Sequence, residues 1–485
     1  MQEKSLKVNV ILNGIRTFLF IVFPLITFPY VSRVLGVENL GKVNFTIAVI
    51  SYFSLLAGLG TRNYAIREGG IVRANDIERT RFFNEIYSIN MAATFLSYIL
   101  LACFIWAFPV LRSYTGLLAI YSIVIIGRTF GVDWMCSVYE DYRYITIRTL
   151  IVQVLSLIFV FCFIHGQNDF YIYTWIMMFQ ATAEGVLNHL YFSKKHKFKL
   201  MGRMNLKKHL RPVMTLFATE VATTVYVSSD AVLIGLLVGD YFNGLYSVST
   251  RIYDVVKLAL LAVFQVSIPR LSKFFSCKEM DRFDDTIEEM GGTMILAMFP
   301  AITGMIFLAR EIVLLIGGPS YIKATVSLQI LAISVLFSVS ALFFAQCILV
   351  PKNLERIMLR TALVSATLNI LLNIVLIPHW KQDAAALTTV VSEILNFVVF
   401  YIYARKHLHK KKLLMHGFQS LIACIGMVIS LEMLRFLISN DMLYLFVSIV
   451  GGAFVYAVFL YFQKNAIFMN YVSAIRRRWD NKIRG

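Results

Sequence analysis

The chain has 485 residues, of which 58% are hydrophobic and 15% charged, and its mean hydropathy is +0.71. Soluble domains carry about 45–50% apolar and about 25% charged residues, so this composition excludes a soluble globular protein and indicates a polytopic membrane protein. The formal net charge of +18 would suit a nucleic-acid-binding protein or basic membrane loops, and only the positions of the charges separate these two interpretations.

Apolar segments long enough to cross a bilayer recur along the whole chain. About 20 helical residues, each rising 1.5 Å, cross the hydrocarbon core. The pattern predicts an all-α protein with about fourteen transmembrane helices, or twelve or thirteen if weak segments do not span. The predicted spans are 10–34, 42–66, 82–108, 114–138, 143–165, 169–192, 211–237, 241–269, 286–316, 323–350, 356–378, 382–404, 416–438 and 442–463.

The first span is more than a plain anchor. It contains Arg16 and two prolines, Pro24 and Pro29, five residues apart. Each proline removes one backbone hydrogen bond, and such a helix is tolerated in a membrane where neighbouring helices cover it. We therefore expect a helix that is kinked at the prolines and lined by protein.

The residues after this arginine carry a resemblance. Residues 23–36 read FPLITFPYVSRVLG, and residues 41–45 read GKVNF. This stretch resembles the opening of bacterial oligosaccharide-lipid flippases, the repeat-unit transporters of O-antigen and capsule synthesis in the multidrug/oligosaccharidyl-lipid/polysaccharide exporter superfamily. The resemblance is specific over about the first seventy residues and continues as a pattern of helices and short loops. It implies undecaprenyl diphosphate as the lipid carrier.

Lysines and arginines alternate between dense and sparse loops. With the N-terminus placed inside, the inside segments hold 34 basic residues and the outside loops hold 5. By the positive-inside rule this predicts an even number of spans, with both termini in the cytoplasm. The resemblance to bacterial flippases implies that the membrane is the bacterial inner membrane. The basic clusters 194–211 and 405–412 are then topological signals, or else they bind anionic lipid headgroups. A nucleic-acid partner is not expected.

A weak internal repeat appears at an offset of 203 residues. Gly36 and Gly41 match Gly239 and Gly244, and Arg67 matches Arg270. An offset that contains six spans keeps the same orientation, so we expect parallel repeats about an axis along the membrane normal. The predicted divisions are an N-lobe over 1–200 with helices 1–6, a C-lobe over 201–410 with helices 7–12, and an addition over 411–485 with helices 13–14 and a basic cytoplasmic tail.

Seven basic residues fall inside the predicted spans, where a charge costs about 2.5–3.5 kcal/mol. Three of them lie near span ends, where snorkelling is favoured: Arg62, Arg310 and Arg435. The other four lie deeper and are expected to face a polar cavity. The predicted cationic substrate site consists of Arg16, Arg128, Arg251, Lys257 and Arg62.

Span 8 carries a ladder of charges. Arg251, Asp254 and Lys257 recur at every third position, which brings successive members close together on a helix. The ladder either neutralises itself or leaves one surplus positive charge for a visiting anion. Acidic residues in the spans are expected to pair with the basic residues or to bind a coupling ion, H⁺ or Na⁺: Asp254, Glu220, Asp230, Asp133, Glu184 and Glu393. Polar asparagines in the spans, such as Asn369 and Asn373, could be interhelical hydrogen-bond partners or sugar contacts, with packing favoured.

These features favour a transporter that moves a lipid-linked oligosaccharide diphosphate to the outer leaflet. The resemblance implies that it flips an undecaprenyl-diphosphate-linked oligosaccharide repeat unit by alternating access. The expected partners are this polyprenyl-diphosphate-linked oligosaccharide, membrane lipids, and the polymerase or other pathway proteins. A cation-coupled drug exporter of the same superfamily is the alternative, although it would favour buried acids over buried arginines. A membrane polysaccharide polymerase is less favoured because the outside loops are short. No sequence motif predicts a cofactor, a metal or covalent catalysis.

Overall fold

The computed structural model describes residues 6–139, 141–194, 196, 198–201, 206–265 and 267–484. Side chains are described from Phe23 onward, apart from positions 142, 206, 207, 263, 265, 410, 475 and 478–484 within those ranges. The described part is helical and contains no β-strand. Its helices are α1 Leu6–Gly58, α2 Thr61–Val72, α3 Asp76–Ala107, α4 Pro109–Arg112, α5 Thr115–Phe130, α6 Asp133–Val138, α7 Tyr142–Phe163, α8 Phe170–Ser193, α9 Leu206–Leu237, α10 Asp240–Gln265, α11 Ile268–Ser276, α12 Met280–Phe307, α13 Ala309–Ile316, α14 Ala324–Phe344, α15 Glu355–Ala404, α16 Lys410–Leu437, α17 Asp441–Phe462 and α18 Ala466–Arg484.

The predicted all-α membrane fold is confirmed. Among the described residues, ten helical segments are long and apolar enough to cross a membrane. Two of these segments, Phe23–Val72 and Glu355–His407, each include two predicted spans, and α8 and α10 coincide with two more. Every predicted span therefore falls mainly on helical residues, while the number of helices that cross the bilayer stays a prediction.

The two long helices α1 and α15 each contain one break. Gly36 has φ 76° and ψ 172°, outside the helical region, and the helix resumes at once, so the connection between the predicted spans 10–34 and 42–66 is shorter than expected. In α15 the break falls at Lys381, with φ 55°. Pro24 and Pro29 lie inside α1, and the only non-helical backbone angles described there are those of Gly36. The bend expected at the prolines stays a prediction.

Two predicted spans are interrupted where the sequence pattern indicated continuous helices. The predicted span 114–138 divides into α5 and α6, because Val132 takes a left-handed conformation with φ 38°. The predicted span 286–316 divides into α12 and α13 at Leu308. Apolar periodicity runs through both breaks, which is why hydropathy alone did not reveal them.

The order of elements repeats along the chain. The second segment of α1 is followed by the short helix α2, the long helix α3 and the short helix α4, and α10 is followed by the short α11, the long α12 and the short α13. Arg67 lies in α2 and Arg270 in α11, as the 203-residue offset requires.

Contacts divide the chain into two compact units, Met1–Ser247 and Val248–Gly485. The predicted divisions follow a repeat symmetry rather than contacts, and they stay predictions: lobes over 1–200 and 201–410 and an addition over 411–485.

Candidate substrate site

Two of the predicted site residues are exposed arginines in the first unit. Arg128 lies in the last turn of α5, and its guanidinium packs over the end of α1, where a methyl group built on Gly58 would lie 3.5 Å from its Nε. Arg62 lies in the first turn of α2, four residues beyond Gly58. Both side chains are exposed and belong to segments apolar enough to span a membrane.

Arg62 and Arg128 also lack counter-charges. Within the described part of the chain, neither side chain has a hydrogen-bond or ion-pair partner. A guanidinium group offers five N–H donors in a fixed planar arrangement that matches phosphate oxygens. These two groups are therefore available to an anionic ligand.

The other two predicted arginines differ from this pair. Arg16 falls within α1, but its side chain lies outside the described residues. Arg251 on α10 is partly buried, and it lies within electrostatic range of Asp254, as does Lys257. The place of Arg251 in the substrate site stays a prediction.

Lys257 on α10 is an ion-pair member. Its Nζ lies 3.1 Å from Oε1 of Glu393 on α15 and donates to the hydroxyl of Tyr253 at 3.2 Å. Glu393 is buried, and its second carboxylate oxygen accepts a hydrogen bond from Asn396 at 3.2 Å. Glu393 therefore balances the surplus positive charge that the ladder of Arg251, Asp254 and Lys257 was expected to leave. The argument for a visiting anion at span 8 loses its electrostatic basis.

The remaining predicted acids are dispersed. Asp230 on α9 is buried and accepts a hydrogen bond from Tyr246 at 2.6 Å. Glu220 is partly buried and has no hydrogen-bond or ion-pair partner among the described residues. Asp254 is exposed. These positions do not form one cluster of carboxylates in the contacts that the structure describes.

Asp133 belongs to a charged cluster that the sequence did not predict. The cluster is centred on Arg148 of α7, which is only 4% exposed. Its Nη2 lies 2.5 Å from Oε2 of Glu184, and its Nη1 lies 3.5 Å from Oδ1 of Asp133. Asn188 accepts from Arg148 and donates to Asp133. Two carboxylates thus surround one buried guanidinium.

Arg148 was missed because the positive-inside count assigned it to a cytoplasmic segment. The signal was present, since Arg148 lies five residues inside the predicted span 143–165 and inside the spanning segment Arg143–Phe163. The acids Asp133 and Glu184 were expected to pair with basic residues or to bind a coupling ion, and both lie beside this arginine.

The two arginines expected to snorkel in the second unit, Arg310 and Arg435, share carboxylates. Both lie close to Asp441, at 3.3 Å and 2.9 Å, and Arg435 lies 3.3 Å from Glu311. The guanidinium of Arg435 also stacks over the ring of Tyr444 at 4.8 Å. These charges join α13, α16 and α17 at one end of the helices.

The asparagines of α15 form hydrogen bonds between helical segments, which is the interpretation that the sequence favoured over sugar contacts. Asn369 donates to Thr388 at 3.3 Å, Asn373 donates to Asn369 at 3.0 Å, and Thr388 donates to Asn373 at 2.6 Å. All three are buried. They connect the two segments of α15 on either side of its break at Lys381.

The second unit contains an apolar cavity of about 670 Å³. It lies among α12, α14, the second segment of α15 and α16, and its walls are aromatic and aliphatic. The lining includes Met294, Met298, Phe299, Phe337, Phe343, Phe344, Phe397, Tyr401, Leu413 and Phe418. Such a wall suits a hydrocarbon chain and offers few groups to a sugar or a phosphate.

Helices of this length and apolarity define a multi-pass membrane protein, and cations inside spanning segments without partners among the described residues favour one that binds an anion. The model of the family "Polysaccharide biosynthesis protein" matches residues 6–275, and that of the family "Lipid II flippase MurJ" matches residues 149–461. Because each matches more than half of the chain, the chain belongs to the polysaccharide flippases of the multidrug/oligosaccharidyl-lipid/polysaccharide exporter superfamily. The resemblance seen in residues 23–45 is thus confirmed.

Relatives and solved structures agree with this family. A putative O-antigen transporter of Shigella dysenteriae is 22% identical over 398 residues, covering 79% of this chain and 96% of the relative. The capsular polysaccharide biosynthesis protein CapF of Staphylococcus aureus is 20% identical over 379 residues, covering 76% and 91%. An inward closed structure of the lipid II flippase MurJ superposes with a TM-score of 0.72 at 16% identity, covering 95% of this chain and 99% of that one. At that identity the superposition establishes the fold alone.

Proposed function

We propose that this protein moves a polyprenyl-diphosphate-linked oligosaccharide from the cytoplasmic to the outer leaflet of the bacterial inner membrane by alternating access. The observation that carries this proposal is that the guanidinium groups of Arg62 and Arg128 are exposed and have no polar partner among the residues that the structure describes. Family membership supports it, because the relatives are named as a putative O-antigen transporter and a capsular polysaccharide biosynthesis protein.

The physical problem of such a substrate explains why arginines are needed. Sugars and a diphosphate cannot cross hydrocarbon unaided, since each unsatisfied polar group costs several kcal/mol there. A guanidinium group replaces water around phosphate oxygens with two parallel charge-assisted hydrogen bonds. Keeping a cation near the centre of a spanning segment costs about 2.5–3.5 kcal/mol, and an anionic ligand explains why Arg128 is retained there without a counter-charge among the described residues. Arg62 lies nearer a span end, where its side chain reaches the headgroup region of the substrate.

The lipid part of the substrate has a different requirement. An isoprenoid chain stays in an apolar environment throughout. We propose that the tail of the carrier stays in the surrounding lipid.

Leaflet-resolved transport in proteoliposomes tests the proposal. Fluorescent polyprenyl-diphosphate oligosaccharide in one leaflet is followed by quenching from the opposite side. Arg62→Ala and Arg128→Ala are expected to abolish the signal, and Arg128→Lys to reduce it partially because lysine lacks the planar fork. The matched control is Arg282→Ala, which removes an exposed arginine paired with Glu279 and should transport normally. Normal transport by both Arg62→Ala and Arg128→Ala would refute the proposed site.

A further inference from the structure

The helix α18 combines an apolar stripe with a dense group of positive charges. It begins soon after α17, which is long and apolar enough to cross a membrane. In its sequence, apolar residues recur at 468, 472, 475, 479 and 483, a spacing of three or four that is typical of an amphipathic helix. Residues 466–484 contain one acid, Asp480, and five basic residues, which leaves a net charge of +4: Arg476, Arg477, Arg478, Lys482 and Arg484. We call residues 476–484 the basic half of α18.

The start of α18 is fixed to the rest of the second unit. Asn465, just before the helix, is buried and its side-chain amide donates to Gln419 of α16 at 2.5 Å. Ile467 is also buried, and a methyl group built on Gly292 of α12 would overlap its Cδ1. The place at which α18 leaves the end of the spanning helix α17 is therefore set by packing against α12 and α16.

The basic half differs from this packed start. Arg476 and Arg477 are exposed, and neither has a hydrogen-bond or ion-pair partner within the part of the chain that the structure describes. Like charges four positions apart destabilise a helix, and Arg478 and Lys482 have this spacing. An external anion would offset the repulsion among these groups.

Two tyrosines indicate that α18 starts at the level of the membrane boundary. Tyr461, in the last turn of α17, is 52% exposed, and Tyr471, in the first half of α18, is 49% exposed. Tyrosine is enriched where spanning helices meet the headgroups. The asymmetry of the basic residues assigns this end of α17 to the cytoplasmic side, so the nearest anions are the phosphate groups of the inner leaflet.

We propose that α18 is an interfacial helix whose basic half binds the phosphate groups of anionic phospholipids in the inner leaflet. An interfacial helix needs an apolar stripe for the acyl boundary and basic residues for the headgroups, and the sequence of α18 supplies both. A cluster of about four to eight basic residues beside a spanning helix is typical of anionic-lipid binding. Arginine suits phosphate because its planar fork forms two parallel hydrogen bonds. The inference concerns bulk phospholipid and does not depend on the proposed function.

A fluorescent probe on α18 tests the proposal locally, without interference from the other basic loops. An environment-sensitive dye is attached to Ser473→Cys, an exposed position, in a protein whose three exposed cysteines are replaced by alanine. The full chain is placed in nanodiscs of phosphatidylcholine with or without phosphatidylglycerol. Phosphatidylglycerol is expected to shift the emission to the blue, and high salt should reverse the shift because it screens exposed charges.

Paired substitutions separate lipid binding from a general loss of charge. Arg476→Gln/Arg477→Gln should reduce the blue shift several-fold, whereas Arg476→Lys/Arg477→Lys keeps the charge and should keep most of the shift. The matched control is Arg67→Gln/Arg282→Gln, which removes two exposed arginines that are each paired with a carboxylate. This control loses the same charge and should respond to phosphatidylglycerol as the wild type does.

Two results would overturn the proposal. One is an emission that does not respond to phosphatidylglycerol in the wild type, or that responds equally in Arg476→Gln/Arg477→Gln and in the control. The other is a response to a soluble acidic peptide with none to phosphatidylglycerol, which would assign α18 to an acidic protein partner instead.

Discussion

Arg148 and Arg128 lie in the same compact unit and carry the same charge, but their surroundings are opposite. Arg148 is 4% exposed and contacts two carboxylates and an amide, whereas Arg128 is exposed and has no polar partner among the described residues. A buried charge with partners is a structural element, because removing one member leaves the others uncompensated. An exposed charge without partners adds little to the fold and is free to bind a ligand. The difference separates charges that build the unit from charges that serve its function.

The largest effect is expected when the structural arginine is removed. Arg148→Ala leaves Asp133 and Glu184 near each other without a cation, and breaking a buried pair of this kind costs about 3–5 kcal/mol. We expect low abundance in the membrane and a clearly lower Tm in detergent. Arg128→Ala should change the unfolding free energy by less than about 0.5 kcal/mol, as exposed substitutions usually do. Equal losses of stability for the two variants would remove the distinction.

The Lys257–Glu393 pair extends the comparison to the second unit. Because the two charges are 3.1 Å apart and largely covered, they should behave like Arg148 and its partners. Lys257→Met and Glu393→Gln are each expected to destabilise the protein, and the double variant should lose less than the sum. A double-mutant cycle of thermal unfolding should give a coupling energy of about 0.5–3 kcal/mol. Strict additivity would mean that Lys257 is available to substrate after all.

The smallest effect is expected at a basic residue outside the spans. Burial lowers the pKa of Lys352, in the loop before α15, below its ordinary value, and nearby Lys406 acts in the same direction against Asp284. The unfolded chain then binds more protons than the folded one between the lowered and the ordinary pKa, so this group's contribution to stability rises with pH across that alkaline window. Lys352→Met should raise the Tm slightly at pH 7, and the gain should shrink as the pH approaches about 10.4. A gain that grows with pH would contradict this sign.

Much of the fold could be predicted from the sequence because membrane constraints are local. The lengths of the apolar segments were enough to predict where the long helices lie. The spacing of Gly36, Gly41, Gly239 and Gly244 indicated a repeat, and the structure brings the residues around these glycines into contact. Breaks such as the one at Val132 could not be predicted, because the apolar pattern continues through them.

The candidate site was harder to predict because pairing is not local. Lys257 and Glu393 are 136 residues apart, so the ladder on α10 suggested a surplus charge that its partner on α15 removes. Arg148 was hidden by the assumption that basic residues near a span boundary belong to the loop. The sequence identified which residues carry charge, and only the packing of helices distinguishes Arg62 and Arg128 from the paired cations.

Binding of polyprenyl diphosphate to the purified protein tests the central claim most directly. Charge-assisted hydrogen bonds contribute about 1.5–3 kcal/mol, so Arg62→Ala and Arg128→Ala should each weaken the affinity about tenfold or more. Arg282→Ala, which removes an exposed and paired arginine, should leave it unchanged. Weakened binding at Arg62 and Arg128 together with an unchanged Tm is the predicted result. Wild-type affinity in both variants would contradict the assignment of these two arginines to the lipid diphosphate.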